Sequence, residues 1–333
     1  MFDGIFLKGS VKNLTKKEKL VVIIGPTAVG KTKLSIELAK AFDGEIISGD
    51  SMQIYAGMDV GTAKITNEEM EGIPHHLIDI KKPDEPFSVA EFQELVRKKI
   101  SEITARKKTP FIVGGTGLYI QSVIYDYQFS EAPSDPDYRK GLEIVVENEG
   151  SEKLHQLLMK IDPDSGEKIH HHNVRRLIRA LEIYHCTGKT MTEIQNTQRS
   201  EELYESALIG LSMDRALLYE RINKRVDLMM GQGLLEEVEA LYSQGLKGSQ
   251  ALQAIGYKEF FSYFEGSSTL QASIDQLKQN SRNYAKRQLT WFRNKMDVEW
   301  FDMTETVSSH RLEKKIDEIS SFIEGKLKIK SNT

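Results

Sequence analysis

Short apolar runs alternate with longer amphipathic stretches through the first third of the chain. Strand-like runs fall at residues 20–25, 45–49, 76–80 and 111–114, each separated from the next by helical or loop sequence, and another follows at 207–213. This alternation predicts an α/β fold with a parallel sheet, because parallel neighbours need a crossover between them. From about 118 to 204 the rhythm stops. The sequence there is helical and charged, which predicts a helical insertion between two sheet strands. After Asp214 helical patterns dominate through Arg293, followed by a short strand at 298–301 and an amphipathic helix near 310–323. The expected organisation is a flexible extension over 1–18, a core domain formed by 19–117 and 205–325, an insertion domain over 118–204, and a flexible tail over 326–333.

The loop closing the first run carries the most specific chemistry. Gly25-Pro26-Thr27-Ala28-Val29-Gly30-Lys31-Thr32 fits G-x-x-x-x-G-K-[ST] between a strand and a helix. The glycines let backbone N–H groups curl around a phosphate and the helix start adds positive dipole. Lys31 can reach terminal phosphate oxygens, and the Thr32 hydroxyl can ligate magnesium. The loop therefore predicts binding of a di- or triphosphate, without saying whether a nucleotide carries it. A glycine-rich turn that only joins strand to helix is the bland alternative.

The second run ends in Ser48-Gly49-Asp50-Ser51-Met52-Gln53 and the fourth in Gly114-Gly115-Thr116-Gly117. Open α/β sheets bind ligands at the carboxyl ends of their strands, so three strand ends are expected to converge on one cleft. Asp50 fits either a turn cap or a functional carboxylate. The acidic strand end of a conventional P-loop ATPase has no clean match, its nearest candidates being Asp50 and Asp79. Lys64, Arg221 and Arg225 are further cations that could reach a diphosphate.

Two helices carry basic faces. Val174, Leu177, Ile178 and Leu181 share an apolar side, with Arg175, Arg176, Arg179 and His172 opposite. Ala285, Leu289, Phe292 and Met296 form a second stripe, flanked by Arg282, Lys286 and Arg293, with Arg287 on another face. Either cluster fits a solvated helix face or a phosphate-backbone contact; two of them in a chain of net charge −4 favour the contact. His170-His171-His172, read as helical, would point in different directions, which argues against a metal site.

Composition narrows the class. The 333 residues, 39% of them hydrophobic, supply an ample core. A single cysteine, Cys186, rules out an intramolecular disulfide and any cysteine-based zinc module. No apolar run approaches the roughly 18 residues of a membrane span, so a cytoplasmic, non-membrane protein is expected.

The ordered series GPTAVGKT, GDSMQIY, GMDVGTAK, GIPHHLIDI, VGGTGLYI, HNVRRLIRALEIY, DRALLYERINKRVDLM, QAIGYKEF and YAKRQLTWFR resembles the tRNA dimethylallyltransferase family, bacterial in type, over about residues 20–301. The resemblance implies a P-loop NTPase-like core with a helical insertion and a helical C-terminal part. It implies transfer of a dimethylallyl group from dimethylallyl diphosphate to N6 of the adenine 3′ of the anticodon, with Mg2+ as cofactor and the tRNA anticodon stem-loop as partner. The family's catalytic base matches Asp50, its phosphate loop Thr27–Thr32 and its strand-end threonine Thr116, with Lys31 and Arg221 or Arg225 on the leaving diphosphate. Ser51, Met52 and Gln53 match positions near the extruded adenine. Arg175, Arg176 and Arg179, then Gln253, Gly256, Tyr257 and Lys258, and finally Arg282, Lys286, Arg287 and Gln288 match regions facing RNA. A monomer is expected. The competing functions are a nucleotide kinase or ATPase, an adenylate isopentenyltransferase acting on free nucleotides, and a non-catalytic RNA-binding module.

Overall fold

The computed structural model describes residues 17–127, 135–197, 201–306 and 309–332. Two compact units emerge, one from 1–124 with 202–333 and the other from 125–201.

The first unit is built on six parallel strands: β1 (Lys19–Ile24), β2 (Gly44–Gly49), β3 (His75–His76), β4 (Thr109–Gly114), β5 (Glu205–Ser212) and β6 (Glu299–Asp302), ordered β3-β2-β4-β1-β5-β6. Leu20 through Ile24 are completely buried, as a central parallel strand covered on both faces requires. Register aligns the carboxyl ends: Gly114 pairs with both Ile24 and Gly49, and Ile24 also pairs with Gly210. The loops leaving β1, β2 and β4 consequently start at one level.

Helices α1 (Lys31–Ala41), α2 (Val89–Ala105) and α3 (Gly117–Ile124) belong to this unit. The strand expected at 76–80 shrinks to His75–His76, because Leu77 and Asp79 adopt φ of 62° and 55°, which breaks an extended run.

The second unit comprises α4 (Pro136–Glu149), α5 (Ser151–Ile161), α6 (Pro163–Lys168), α7 (Val174–Thr187) and α8 (Met191–Asn196). Its core gathers Leu142, Leu154, Leu158, Leu177, Ile178 and Leu181, so the apolar face read from the sequence of α7 is the buried one. The insertion is narrower than the expected 118–204. Ile120, Val123 and Ile124 of α3 are buried in the first unit, and Leu203 N–H returns to Ile124 O at 2.9 Å.

The chain re-enters the first unit through β5 and continues with α9 (Arg215–Gly231), α10 (Leu234–Ser243), α11 (Phe261–Phe264), α12 (Leu270–Lys295) and α13 (Ser309–Leu327). The tail expected to be flexible from 326 onward is tied down over its described part. Leu327 is fully buried, Ser331 N–H and Oγ both donate to Glu324 Oε1, and Asn332 N–H reaches Ala41 O at 2.7 Å. Of the expected N-terminal extension, 1–16 lie outside the described residues, and Glu18 O already accepts Glu205 N–H at 2.9 Å.

Candidate active site

At the carboxyl end of the sheet the first unit encloses a cavity of about 790 Å³. Thr27, Ala28, Gly30, Lys31 and Thr32 line one side, and Asp50, Ser51, Met52 and Gln53 another. Arg221 and Arg225, four residues apart on one face of α9, line a third. Apolar wall comes from Ile46, Ile65, Val113, Val226, Met229 and Leu277. Gly25, Pro26 and Val29 of the same loop are not on the cavity wall, and Val29 is packed in the core.

The loop folds as the motif requires. Gly30, at φ 107°, precedes α1 with no side-chain cap, leaving the helix start open towards the cavity. Lys31 Nζ is drawn back onto the carbonyls of Gly25 (2.9 Å) and Pro26 (2.8 Å). Loss of water, then the neighbouring Arg225 charge, lower the Lys31 pKa to about 7, against a smaller opposing pull from Asp50. Burial likewise lowers the Arg225 value, with Asp50 and Glu69 opposing. Two desolvated cations on the walls of one cavity are the electrostatic setting in which an anion is favoured.

Asp50 acts as the turn cap of one sequence reading and keeps a carboxylate oxygen on the cavity wall. Its Oδ1 caps the turn by accepting Met52 N–H at 2.8 Å, and Oδ2 has no hydrogen-bond partner among the described residues. Thr116 is not on the cavity wall. Its Oγ1 accepts Ser51 N–H at 3.2 Å and so fixes the turn that follows Asp50. Tyr284 on α12, not singled out from the sequence, lines the cavity; burial, then the Asp50 charge, push its pKa up to about 12.

Several residues expected to face RNA do something else. Gln288 is buried: its Oε1 accepts Thr27 N–H at 3.0 Å and its Nε2 donates to Gly115 O at 3.0 Å, joining the phosphate loop to the end of β4. A Cβ on Gly115 would sit 2.1 Å from that Nε2, so a side chain there would push the amide off its partners. Tyr257 is fully buried and donates to Glu237 Oε1 at 2.7 Å. Gly256 is also buried, although it reaches the cavity beside Gln253. Arg282 Nη1 donates to Asn223 Oδ1 at 2.6 Å. Lys258, Lys286 and Arg287 are exposed, and Arg287 also borders the cavity. Lys64, weighed as a diphosphate ligand, pairs instead with Asp59 and Asp79 and donates to Tyr55 O.

Within the second unit, Arg175 and Arg176 are exposed. Arg179 is not a free surface charge: with Arg139 it grips Glu182, whose side chain is completely buried. The three histidines 170–172 form a turn ahead of α7 instead of helix, and their ring nitrogens lie within 4.8 Å of one another; they are the single such grouping among the described residues. No described helix is long and apolar enough to cross a membrane.

The chain is similar to known proteins over most of its length. The sequence profile of the IPP transferase family matches residues 53–295. The tRNA dimethylallyltransferase of Bacillus pumilus is 62% identical over 315 residues, covering 95% of this chain and 98% of that one. That of Anoxybacillus flavithermus is 63% identical over 315 residues, covering 95% and 99%. Among solved structures, the tRNA isopentenylpyrophosphate transferase of Bacillus halodurans superposes with a TM-score of 0.70 at 52% identity, covering 94% of this chain and 99% of that one. A eukaryotic dimethylallyltransferase acting on tRNA superposes with a TM-score of 0.80 at 30% identity, covering 95% and 81%.

Proposed function

Because the chain belongs to the IPP transferase family and is a transferase, we propose that its strand-end cavity moves a dimethylallyl group from dimethylallyl diphosphate to N6 of the adenine 3′-adjacent to the tRNA anticodon, releasing diphosphate. The observation that carries this reading is the meeting, in one cavity, of the Lys31 and Arg225 cations, the Asp50 carboxylate and an extended apolar wall. An anionic leaving group, a proton acceptor and a hydrocarbon chain call for these three features.

In the reaction the N6 nitrogen attacks the allylic carbon, the carbon–oxygen bond to diphosphate breaks, and the N6 proton passes to Oδ2 of Asp50. Lys31, Arg221 and Arg225 stabilise the negative charge growing on the departing diphosphate. The adenine must leave its stack to reach the cavity, and Ser51, Met52 and Gln53 form the wall that meets it. Thr32 is exposed beside Lys31 and offers a hard hydroxyl oxygen. That donor fits magnesium, which is commonly held by one or two protein ligands together with substrate phosphates and water; when bound, the ion neutralises leaving-group charge. Arg175, Arg176, Lys258, Lys286 and Arg287 supply phosphate-backbone contacts to the anticodon stem-loop. A tRNA substrate suits a cytoplasmic enzyme.

Incubation with labelled dimethylallyl diphosphate, magnesium and either tRNA or free adenine nucleotides tests the reading. Label is expected in tRNA alone, with no ATP consumed. Labelling of free AMP, ADP or ATP, or ATP hydrolysis coupled to turnover, would overturn it.

A further inference from the structure

Glu237, on the first turn of α10, accepts four hydrogen bonds. Its Oε2 takes the N–H groups of Asp59 and Val60, each at 2.8 Å, and its Oε1 takes Gly61 N–H at 2.9 Å and the Tyr257 hydroxyl at 2.7 Å. Three successive backbone N–H groups converging on one anion form a nest, a shape an unsupported turn does not hold. The turn runs on into Thr62 and Ala63, whose carbonyls lie 3.4 and 3.5 Å from Gln53 Nε2, while Ser48 Oγ donates to Gln53 Oε1 at 3.0 Å. Both ends of the Gln53 amide are thereby specified. Packing reinforces the arrangement: a Cβ on Gly61 would meet the Tyr257 ring at 2.5 Å, and one on Gly256 would lie 3.1 Å from Gly61 O.

We infer that Glu237 is a positioning residue for the acceptor side of the cavity: through the 59–63 turn it holds the Gln53 amide in the orientation that meets the acceptor base. The inference rests on the assignment of Gln53 to that base under the proposed function. A carboxylate suits the task because it only accepts, with two oxygens and about four lone-pair sites for four donors. A glutamine would turn an NH2 group towards N–H donors and free the turn.

The test compares Glu237→Gln, Gln53→Ala and the double variant in steady-state kinetics with tRNA. Glu237→Gln is expected to raise KM for tRNA about tenfold, the scale of one or two lost hydrogen bonds, with kcat and dimethylallyl diphosphate affinity within about twofold. The double variant is expected to be no worse than Gln53→Ala alone, because both act through one amide. Tyr257→Phe keeps the ring and removes one bond of the four; KM for tRNA is expected to rise about threefold, and this variant decides the matter if Glu237→Gln does not fold. If Gln53→Ala is impaired while Glu237→Gln and Tyr257→Phe use tRNA normally, or if the two losses simply add, the inference fails and the Gln53 assignment stands. Normal use of tRNA by Gln53→Ala removes both.

Discussion

The backbone N–H of Thr27, inside the phosphate loop, donates to Oε1 of Gln288, 261 residues later in the chain, at 3.0 Å. Through the same amide Gln288 holds Gly115 O, so the loop, the end of β4 and helix α12 share one buried polar link. Gln288→Ala leaves the Thr27 donor and the Gly115 acceptor without it, at a cost of about 1–3 kcal/mol for each group left unsatisfied. The thermal midpoint is expected to fall and dimethylallyl diphosphate affinity to drop about tenfold, with tRNA affinity within twofold. Gln288→Glu should do no better, since its second oxygen would face a carbonyl. Impaired tRNA binding with intact diphosphate affinity, read by calorimetry and filter binding, would return Gln288 to an RNA-facing role.

Asp50 caps a turn and, in the proposed reaction, accepts the N6 proton; the two duties can be separated. Asparagine keeps an oxygen able to accept Met52 N–H but cannot take a proton. Asp50→Asn is therefore expected to preserve tRNA affinity within a few-fold and to slow single-turnover transfer by about 10²–10⁴, the usual contribution of a general base. A rate above roughly a tenth of the wild-type value would remove Asp50 from that role.

What can be read from the sequence follows the range of the interactions. The buried strands are legible because a central parallel strand is a continuous apolar run, and the phosphate loop because its geometry lies within eight consecutive residues. Strand β3 is shorter than its apolar run suggests, since nothing in Leu77 or Asp79 announces a left-handed backbone. The link between Thr27, Gly115 and Gln288 and the nest under Glu237 join distant segments, and no local pattern encodes them. Tyr257 and Arg179 have the residue types of an RNA surface, yet their side chains meet buried or backbone-organising carboxylates that only the fold brings near.

Lys31 makes binding of the diphosphate substrate pH-sensitive. Its pKa in the free protein is about 7, whereas an ammonium facing a diphosphate stays charged, so binding above pH 7 must draw a proton onto Lys31. Calorimetry in buffers of different ionisation enthalpy is expected to show uptake approaching one proton near pH 8.5, absent in Lys31→Ala. Affinity should fall as pH rises above 7, by up to about one log unit per pH unit. The effect on stability has the opposite sense: the folded value lies below the unfolded one, so the fold gains stability as pH rises from about 7 towards 10.5. No proton uptake in the wild type would show that Lys31 is charged before the substrate arrives.

The arginines of α7 divide into two kinds. Arg175 and Arg176 are exposed, and replacing both with alanine is expected to weaken tRNA binding and to flatten its salt dependence by about 0.7–0.9 log unit for each phosphate no longer neutralised, without moving the thermal midpoint. Arg179 Nη1 donates to Glu182 Oε2 at 2.6 Å, while Arg139 donates to both carboxylate oxygens and Asp135 N–H to Oε1. Burial by itself would raise the Glu182 pKa, but the hydrogen bonds from Arg139 and Arg179 outweigh it and hold the value down to about 2. Its stabilising effect is thus fully present above the ordinary glutamate range and lost as pH falls through about 2. Arg179→Ala is expected to destabilise the second unit by about 1.5–3 kcal/mol, the scale of a hydrogen bond to a charged group. Glu182→Gln, which leaves two partly exposed guanidinium groups without their anion, should destabilise the unit, by less than the roughly 3–5 kcal/mol of a fully buried orphan charge because solvent screens them, and remove the acid-dependent step. Hydrogen exchange over residues 135–197, followed from pH 5 down to pH 2 with rates corrected for intrinsic exchange, reads both effects directly. If Arg179→Ala leaves that protection intact and weakens tRNA binding as much as the Arg175 and Arg176 pair, Arg179 is an RNA contact and the fork on Glu182 is incidental.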